Sequence, residues 1–276
     1  MPELPEVETT RRHLAPAMEG RRVVAAEVRR PRMVRRQRRP EDFADRVLGR
    51  TVERVGRHGK FLLGHLSGDV TLVFHLGMSG RISLAAAGDP EAPHTNVVLR
   101  LDDGTEVRLV DPRTFGFAAA FLPDELEEGS LSRLGPDALD ALPASRALEA
   151  RLAGRVVPIK PLLLDQAFLA GLGNIYADEV LHRARIAPQR PAGSLERTEI
   201  TRLRAAIRPV LEAGLRDGGT SLDDLAYLLP DGRAGGYLRR LRVYGREDEP
   251  CRRCGTAVRR AVLRQRSTFW CPECQR

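Results

Sequence analysis

Four cysteines near the carboxy terminus constrain this chain more than any other feature. Two residues separate Cys251 from Cys254, sixteen residues follow, and Cys271 and Cys274 repeat the spacing. Each pair offers two thiolates from one tight turn, and two such turns close a tetrahedron around zinc. An all-thiolate site has no open position, so the expected cofactor is one structural Zn2+. Between the pairs, Val258 to Val262 and Thr268 to Trp270 alternate as a β-hairpin with Arg264-Gln265-Arg266 at its tip. Seven arginines and one acid, Glu273, lie from Cys251 onward, which suits contact with phosphate. A disulfide pair or a protein-binding ribbon could use the same spacing.

The composition fits a polyanion partner. The chain has 276 residues, 42% of them hydrophobic, which is enough for two modest domains. No apolar run approaches a membrane span, and Glu3, Glu6 and Glu8 break any signal peptide. A cytoplasmic protein is expected, and there cysteines serve as metal ligands more often than as disulfides. The net charge is +8 and the pI about 10.0, a balance typical of nucleic-acid binders; a basic surface without a ligand is the alternative. Only Lys60 and Lys160 among the 45 basic residues are lysine. They mark either places where a compact ammonium is needed or chance survivors of an arginine bias.

Along the chain, one helix is expected first, with Pro2 at its start and Leu4, Val7 and Leu14 on one face. Residues 21–122 read as short β-strands, including a hairpin turning at Asp103-Gly104. The seven arginines from Arg29 to Arg39 read as a phosphate track or a solvated strand pair. Beyond a loop-rich connector, helices are expected at Ser145–Leu152, Leu162–Ala170, Ile175–Ala184 and Arg197–Arg216. Gly171-Leu172-Gly173-Asn174 interrupts two of them. It lacks the third glycine and the preceding strand of a dinucleotide fingerprint. It suits a turn whose free N–H groups face a phosphate, or a purely structural turn.

The amino terminus suggests chemistry. Pro2 favours removal of Met1, which would leave a secondary amine with pKa near ~8, partly neutral and nucleophilic at pH 7. Such an amine converts a sugar aldehyde to an iminium, an electron sink, and Glu3 places a carboxyl group beside it. An ordinary chain terminus has the same residues.

Five segments then stand in order: Pro2-Glu3-Leu4-Pro5-Glu6-Val7-Glu8, His75-Leu76-Gly77-Met78-Ser79-Gly80, Asp111-Pro112-Arg113-Thr114-Phe115-Gly116, Gly171 to Glu179, and the four-cysteine finger. Over essentially its whole length the sequence resembles the bacterial formamidopyrimidine-DNA glycosylases, which remove 8-oxoguanine and ring-opened purines from DNA. The resemblance implies an α+β fold of two domains. Residues 1–130 would form a leading helix and catalytic β-sandwich, and 131–144 a connector. Residues 145–235 would form a helix-two-turn-helix domain with a lesion-capping loop, and 236–276 the zinc β-hairpin.

It also implies roles. Pro2 attacks C1′ of the damaged nucleotide, Glu3 acts as acid and base, and β,δ-elimination cuts the strand on both sides. Lys60, His75, Asn174, Tyr244 and Arg266 contact the lesion's phosphates, Lys60 within the catalytic centre, and Lys160 lies near the DNA. Met78, Arg113 and Phe115 fill the space left by the flipped nucleotide. Glu6, Thr220 and Ser221 line the base pocket. The partner is duplex DNA carrying oxidised purines or abasic sites, the protein acts as a monomer, and no catalytic metal or organic cofactor takes part. Residues 222–236 depart from the family pattern: this loop is longer and more apolar, with Leu225, Leu228 and Leu229, which bears on lesion ranking. Two rivals follow. An endonuclease VIII-like enzyme for oxidised pyrimidines is disfavoured by Leu4 and the Arg113/Phe115 segment. A non-catalytic zinc DNA-binding protein would result from retention of Met1.

Overall fold

Glu3, not Pro2, starts the first helix. In the computed structural model, which describes residues 2–129, 131–222 and 227–276, α1 spans Leu4–Met18 with Glu3 as its N-cap. The Glu3 carboxylate takes the backbone N–H three residues on, and Glu6 returns the bond to Glu3. Pro5 occupies the first turn, where its missing N–H costs nothing. Pro2 therefore precedes the helix.

The chain divides into two compact units, Met1–Arg133 with Leu215–Leu238, and Leu134–Gly214 with Arg239–Arg276. The first unit is a β-sandwich. One sheet has the order β1-β6-β7-β5, from Val23–Val28, Thr95–Leu101, Thr105–Val110 and Arg81–Ala86. The other has the order β2-β3-β4-β8, from Val52–His58, Phe61–Leu66, Val70–His75 and Phe117–Phe121. Every pairing is antiparallel. Alternate residues such as Val97, Leu99 and Leu101 meet Val70, Leu72 and Phe74 in one core, onto which α1 lays Val7, Leu14 and Met18. The Asp103-Gly104 turn forms as expected, with Gly104 at φ 85°. The arginine tract is no strand pair: it holds a 3-10 turn at Pro31–Val34 and leads into α2, Pro40–Val47. A short α3, Pro123–Glu128, closes the region.

The second unit contains α4 (Ser145–Leu152), α5 (Ile159–Leu164), α6 (Asn174–Ala184) and α7 (Arg197–Arg216), then the hairpin of β9 (Arg259–Leu263) and β10 (Arg266–Trp270). The helix expected over Leu162–Ala170 stops at Leu164. Asp165 Oδ1 accepts the N–H of Ala167 at 3.0 Å, a local bond that competes with helix. Gln166 then braces the turn, accepting from Gly171 N–H at 2.9 Å and donating to the Leu172 carbonyl at 2.9 Å. No described helix is long and apolar enough to cross a membrane.

Candidate active site and nucleic-acid interface

In the first unit, charged residues of α1 hold the chain's amino terminus. Pro2 is buried, and Glu3 and Glu6 are each 1% exposed. Glu6 Oε2 accepts the Glu3 N–H at 2.8 Å, while Oε1 accepts the Thr220 N–H at 2.7 Å. Gly219, at φ 86°, lies so close to Glu6 that a Cβ would sit 2.8 Å from its carboxylate, so only glycine allows this approach. Thr220, expected like Glu6 in the base pocket, thus meets Glu6 through its backbone. Ser221 differs: its hydroxyl donates to the Tyr227 carbonyl at 2.7 Å and accepts Gly235 N–H at 2.8 Å, closing the loop on itself. Tyr227 and Leu229 are buried; Leu225 lies outside the described residues, as does Met1.

Lys60 follows Gly59 in the turn between β2 and β3. Arg57 orders that turn, donating to the Gly59 carbonyl at 2.9 Å while pairing with Glu8 of α1 at 3.2 Å. Burial pushes the Glu8 carboxyl up, but bonds from Arg11 and Arg12 and the charges of Arg11 and Arg57 hold it below the ordinary value. His75 ends β4 between Phe61 and Phe117, with ring centroids 4.8 and 5.6 Å away. Its Nδ1 accepts Gly77 N–H at 3.2 Å, which leaves the proton of the neutral ring on Nε2. Burial first, then Lys60, Arg35 and Arg36, bring its pKa down to about 4. His75 is therefore a neutral donor at physiological pH.

Met78, Arg113 and Phe115 sit on two loops joined by Asp111, which is fully buried. Asp111 Oδ1 accepts from Ser79 Oγ at 2.7 Å and Arg113 N–H at 3.1 Å, and Oδ2 from Gly116 N–H at 2.8 Å. A Cβ on Gly77 would stand 2.4 Å from Gly116 N, so the two loops touch through bare backbone. Phe115 stays 43% exposed, with the Arg113 guanidinium 4.7 Å above its ring. An exposed aromatic beside a cation is suited to entering a base stack.

In the second unit, α6 collects the predicted residues. Lys160 is not at the surface. It is fully buried, 2.8 Å from Asp178 Oδ1, and donates to the Ser267 carbonyl at 2.8 Å and Thr268 Oγ1 at 3.0 Å. The place near the DNA expected of it is corrected to a buried one, where it anchors β10. Asp178 Oδ2 also accepts Phe269 N–H at 2.9 Å. Burial pushes the Asp178 carboxyl up, against the opposing charge of Lys160. Asn174, first residue of α6, donates to the Ser267 carbonyl at 2.9 Å. The neighbouring Glu179 accepts three successive N–H groups, from Arg242, Val243 and Tyr244, at 2.9, 2.9 and 3.0 Å. That nest sets the backbone of Tyr244, whose ring packs edge-on against Phe269 at 5.2 Å. Arg266 is exposed at the start of β10. Arg264 and Gln265 form the hairpin tip at φ 44° and 64°, a two-residue turn usually built from asparagine and glycine.

The sulfurs of Cys251, Cys254, Cys271 and Cys274 all lie within 4.8 Å of one another, with Cys254–Cys271 at 3.4 Å and Cys251–Cys274 at 4.0 Å. Tetrahedral thiolates ~2.3 Å from zinc stand about 3.8 Å apart, so the cluster fits a structural Zn2+. Burial, then the adjacent sulfurs, push the Cys274 thiol up to about 12; a divalent cation removes that cost. Backbone N–H groups of Arg253 and Cys274 point at Cys251 and Cys271 sulfurs, each at 3.4 Å. His182 of α6 brings Nε2 to 3.4 Å from Cys251 Sγ. A metal-bound thiolate can only accept, so His182 is the donor.

Three family models cover the chain: the formamidopyrimidine-DNA glycosylase N-terminal domain over residues 1–118, its helix-two-turn-helix domain over 134–225, and the zinc finger found in FPG and IleRS over 248–276. The Rhizorhabdus wittichii formamidopyrimidine-DNA glycosylase is 46% identical over 280 residues, covering all of both chains. This chain belongs to the formamidopyrimidine-DNA glycosylase family. The formamidopyrimidine-DNA glycosylase of Pelotomaculum thermopropionicum is 42% identical, covering 100% of this chain and 99% of its own. Among solved family members, the MutM (FPG) protein of Thermus thermophilus matches with a TM-score of 0.88 at 44% identity, covering 99% and 98% of the two chains. A Lactococcus lactis FPG variant in complex with Fapy-dG containing DNA matches with a TM-score of 0.91 at 32% identity over the full length of both. Spacing pointed to the cysteines, amine chemistry to Pro2 and the family resemblance to Met78, yet Asp111, Glu179 and His182 act through other residues and carry no such signal.

Proposed function

We propose that this chain is a bifunctional DNA glycosylase and AP lyase that excises 8-oxoguanine and formamidopyrimidines from duplex DNA. The observation that carries the reading is full-length family membership, with Pro2 and Glu3 at the head of α1. Solved relatives bind Fapy-dG containing DNA and abasic-site DNA, the substrate and intermediate this chemistry requires.

With Met1 removed, the Pro2 nitrogen lone pair bonds C1′ of the extruded nucleotide. The glycosidic bond breaks, its electron pair leaving with the base, which takes a proton. Glu3 protonates O4′ as the C1′–O4′ bond opens, giving a cationic iminium. The iminium acidifies C2′–H, whose loss expels the 3′ phosphate; loss of C4′–H then expels the 5′ phosphate. Water releases Pro2. Glu6 and Thr220 line the base, Met78, Arg113 and Phe115 occupy the emptied stack, and Lys60, His75, Asn174, Tyr244 and Arg266 take phosphates. Lys160 supports that surface from below. Zinc supplies no chemistry of the reaction; when bound by the four cysteines it orders the hairpin.

We assign catalysis to residues 1–130, helix-two-turn-helix binding to 145–235, of which Leu215 onward packs in the first unit, and the zinc hairpin's contacts to 236–276, in a cytoplasmic monomer tethered to the nucleoid by DNA. Borohydride trapping tests the reading. Chain shown by mass spectrometry to begin at Pro2 should form a covalent adduct with an 8-oxoguanine·cytosine duplex, and Pro2→Gly should form none. Absence of adduct, or preference for a thymine glycol duplex, overturns it.

A further inference from the structure

The arginine tract between β1 and α2 has no assigned task; its arginines are exposed, but two of them fold back onto the loop that bears Phe115. Arg35 Nη1 donates to the Gly116 carbonyl at 2.6 Å and Nη2 to the Phe115 carbonyl at 2.9 Å. Arg32 Nε reaches the Thr114 carbonyl at 3.4 Å. Three successive carbonyls around the exposed Phe115 are thus capped by two arginines, while Asp111 takes the N–H groups of Arg113 and Gly116 from the other side. The loop needs such bracing, because Thr114 sits at φ 52°, a left-handed conformation a β-branched residue avoids. The fork is itself fixed: Nη1 also donates to the Arg32 carbonyl at 3.0 Å, and the guanidinium lies 5.4 Å from the Phe117 ring centroid. Burial and the charges of Arg32 and Arg36 lower the Arg35 pKa, so the fold accepts like-charge crowding to put a guanidinium there.

We propose that Arg35 is a positioning residue for the wedge: its planar fork locks the two successive peptide planes that follow Phe115, on either side of Gly116, and so sets how Phe115 and Arg113 meet the duplex. The inference rests on the proposed function, in which those side chains fill the vacated stack and read the orphaned base. A rigid planar fork across two carbonyls is a task for arginine; an ammonium on a flexible stem bonds acceptors without fixing both planes.

The test uses the full-length zinc-loaded protein and the variants Arg35→Met and Arg35→Lys. Arg35→Met should lower the preference in kcat/KM for 8-oxoguanine opposite cytosine over adenine by about tenfold, the effect of losing charge-assisted hydrogen bonds. Arg35→Lys should restore little of it. The slope of log affinity against log salt should stay unchanged, as should trapping on a single-stranded abasic oligonucleotide, which has no opposite base. Amide hydrogen exchange over 111–117 should quicken in both variants and not elsewhere. A slope reduced by about one, with equal losses on both duplexes, would make Arg35 a phosphate contact and overturn the proposal. So would unchanged exchange, a readout that needs no activity. Failure of the wild-type chain to trap any duplex would sink the functional reading, while the exchange comparison still decides Arg35.

Discussion

The loop bearing Phe115 and the hairpin bearing Arg266 both carry residues for DNA, but on very different foundations. The first is attached to a sandwich core of twenty-four buried residues, the second to a cluster of five: Val243, Cys251, Val258, Phe269 and Cys271. A large core leaves a loop needing only local polar bonds, here Asp111 from one side and Arg35 from the other. A module too small to stabilise itself needs staples. The hairpin has two kinds: four thiolates around a metal position, and buried groups of α6 reaching into its backbone.

That contrast breaks most sharply on zinc removal. Chelation should unfold the ribbon and cut duplex affinity about 100-fold or more, because several phosphate contacts go with it. The far-UV signature of the sandwich should persist. Zinc-free protein with undiminished affinity would show that the ribbon stands on its core alone. Next is Asp111→Ala, which leaves buried donors at Gly116 and Ser79 and a part-buried one at Arg113 unpaired. It should cost about 3 kcal/mol, read as a lower urea midpoint at unchanged m-value; Asp111→Asn, keeping an acceptor, should cost less. A loss under about 1 kcal/mol would mean the loop is held by packing.

Acid probes the sandwich through His75, as it probes the ribbon side through His182, whose pKa burial also lowers to about 4. His75 has its pKa lowered from 6.5 to about 4, so the unfolded chain gains a proton there before the folded one does. The stability this neutral ring contributes is complete above pH 6.5 and is lost as pH falls toward about 4. The loss should reach about 2 kcal/mol at pH 5, and His75→Phe should flatten that part of the profile. An unchanged profile would place the acid sensitivity elsewhere. The smallest effect belongs to the ribbon: His182→Phe removes the side-chain donor to Cys251. Zinc transfer to a chelator should quicken about tenfold, and a shifted sulfur-to-cobalt band in Co2+-substituted protein would separate this from general loosening. Identical rates and spectra would remove His182 from the staples.

The sequence made the periodic parts readable. α7 runs over Arg197–Arg216 as its pattern predicts, the Asp103-Gly104 hairpin turns where expected, and the cysteine spacing announced the ribbon. Single local competitions were harder to see. Glu3 moved the helix start past Pro2 by capping it, and Asp165 ended α5 early. Least legible were bonds between side chains and distant backbone. Arg35 meets Phe115 across 80 positions, and Glu179 meets Val243 across 64. No periodicity encodes such pairs. Lys160 illustrates the consequence: the family resemblance placed it near the DNA, yet Asp178 pairs with it inside the protein.

Three residues of one helix, Asp178, Glu179 and His182, reach β10, the segment before the ribbon and a metal ligand in turn. Metal affinity and helical integrity are therefore thermodynamically linked. The free energy of zinc binding measured in the whole chain includes the docking of the ribbon onto α6, and a peptide of residues 236–276 alone should hold the metal more weakly. Read the other way, zinc occupancy is a gauge of α6. A substitution that loosens that helix, far from any cysteine, should first be noticed as metal lost from the protein.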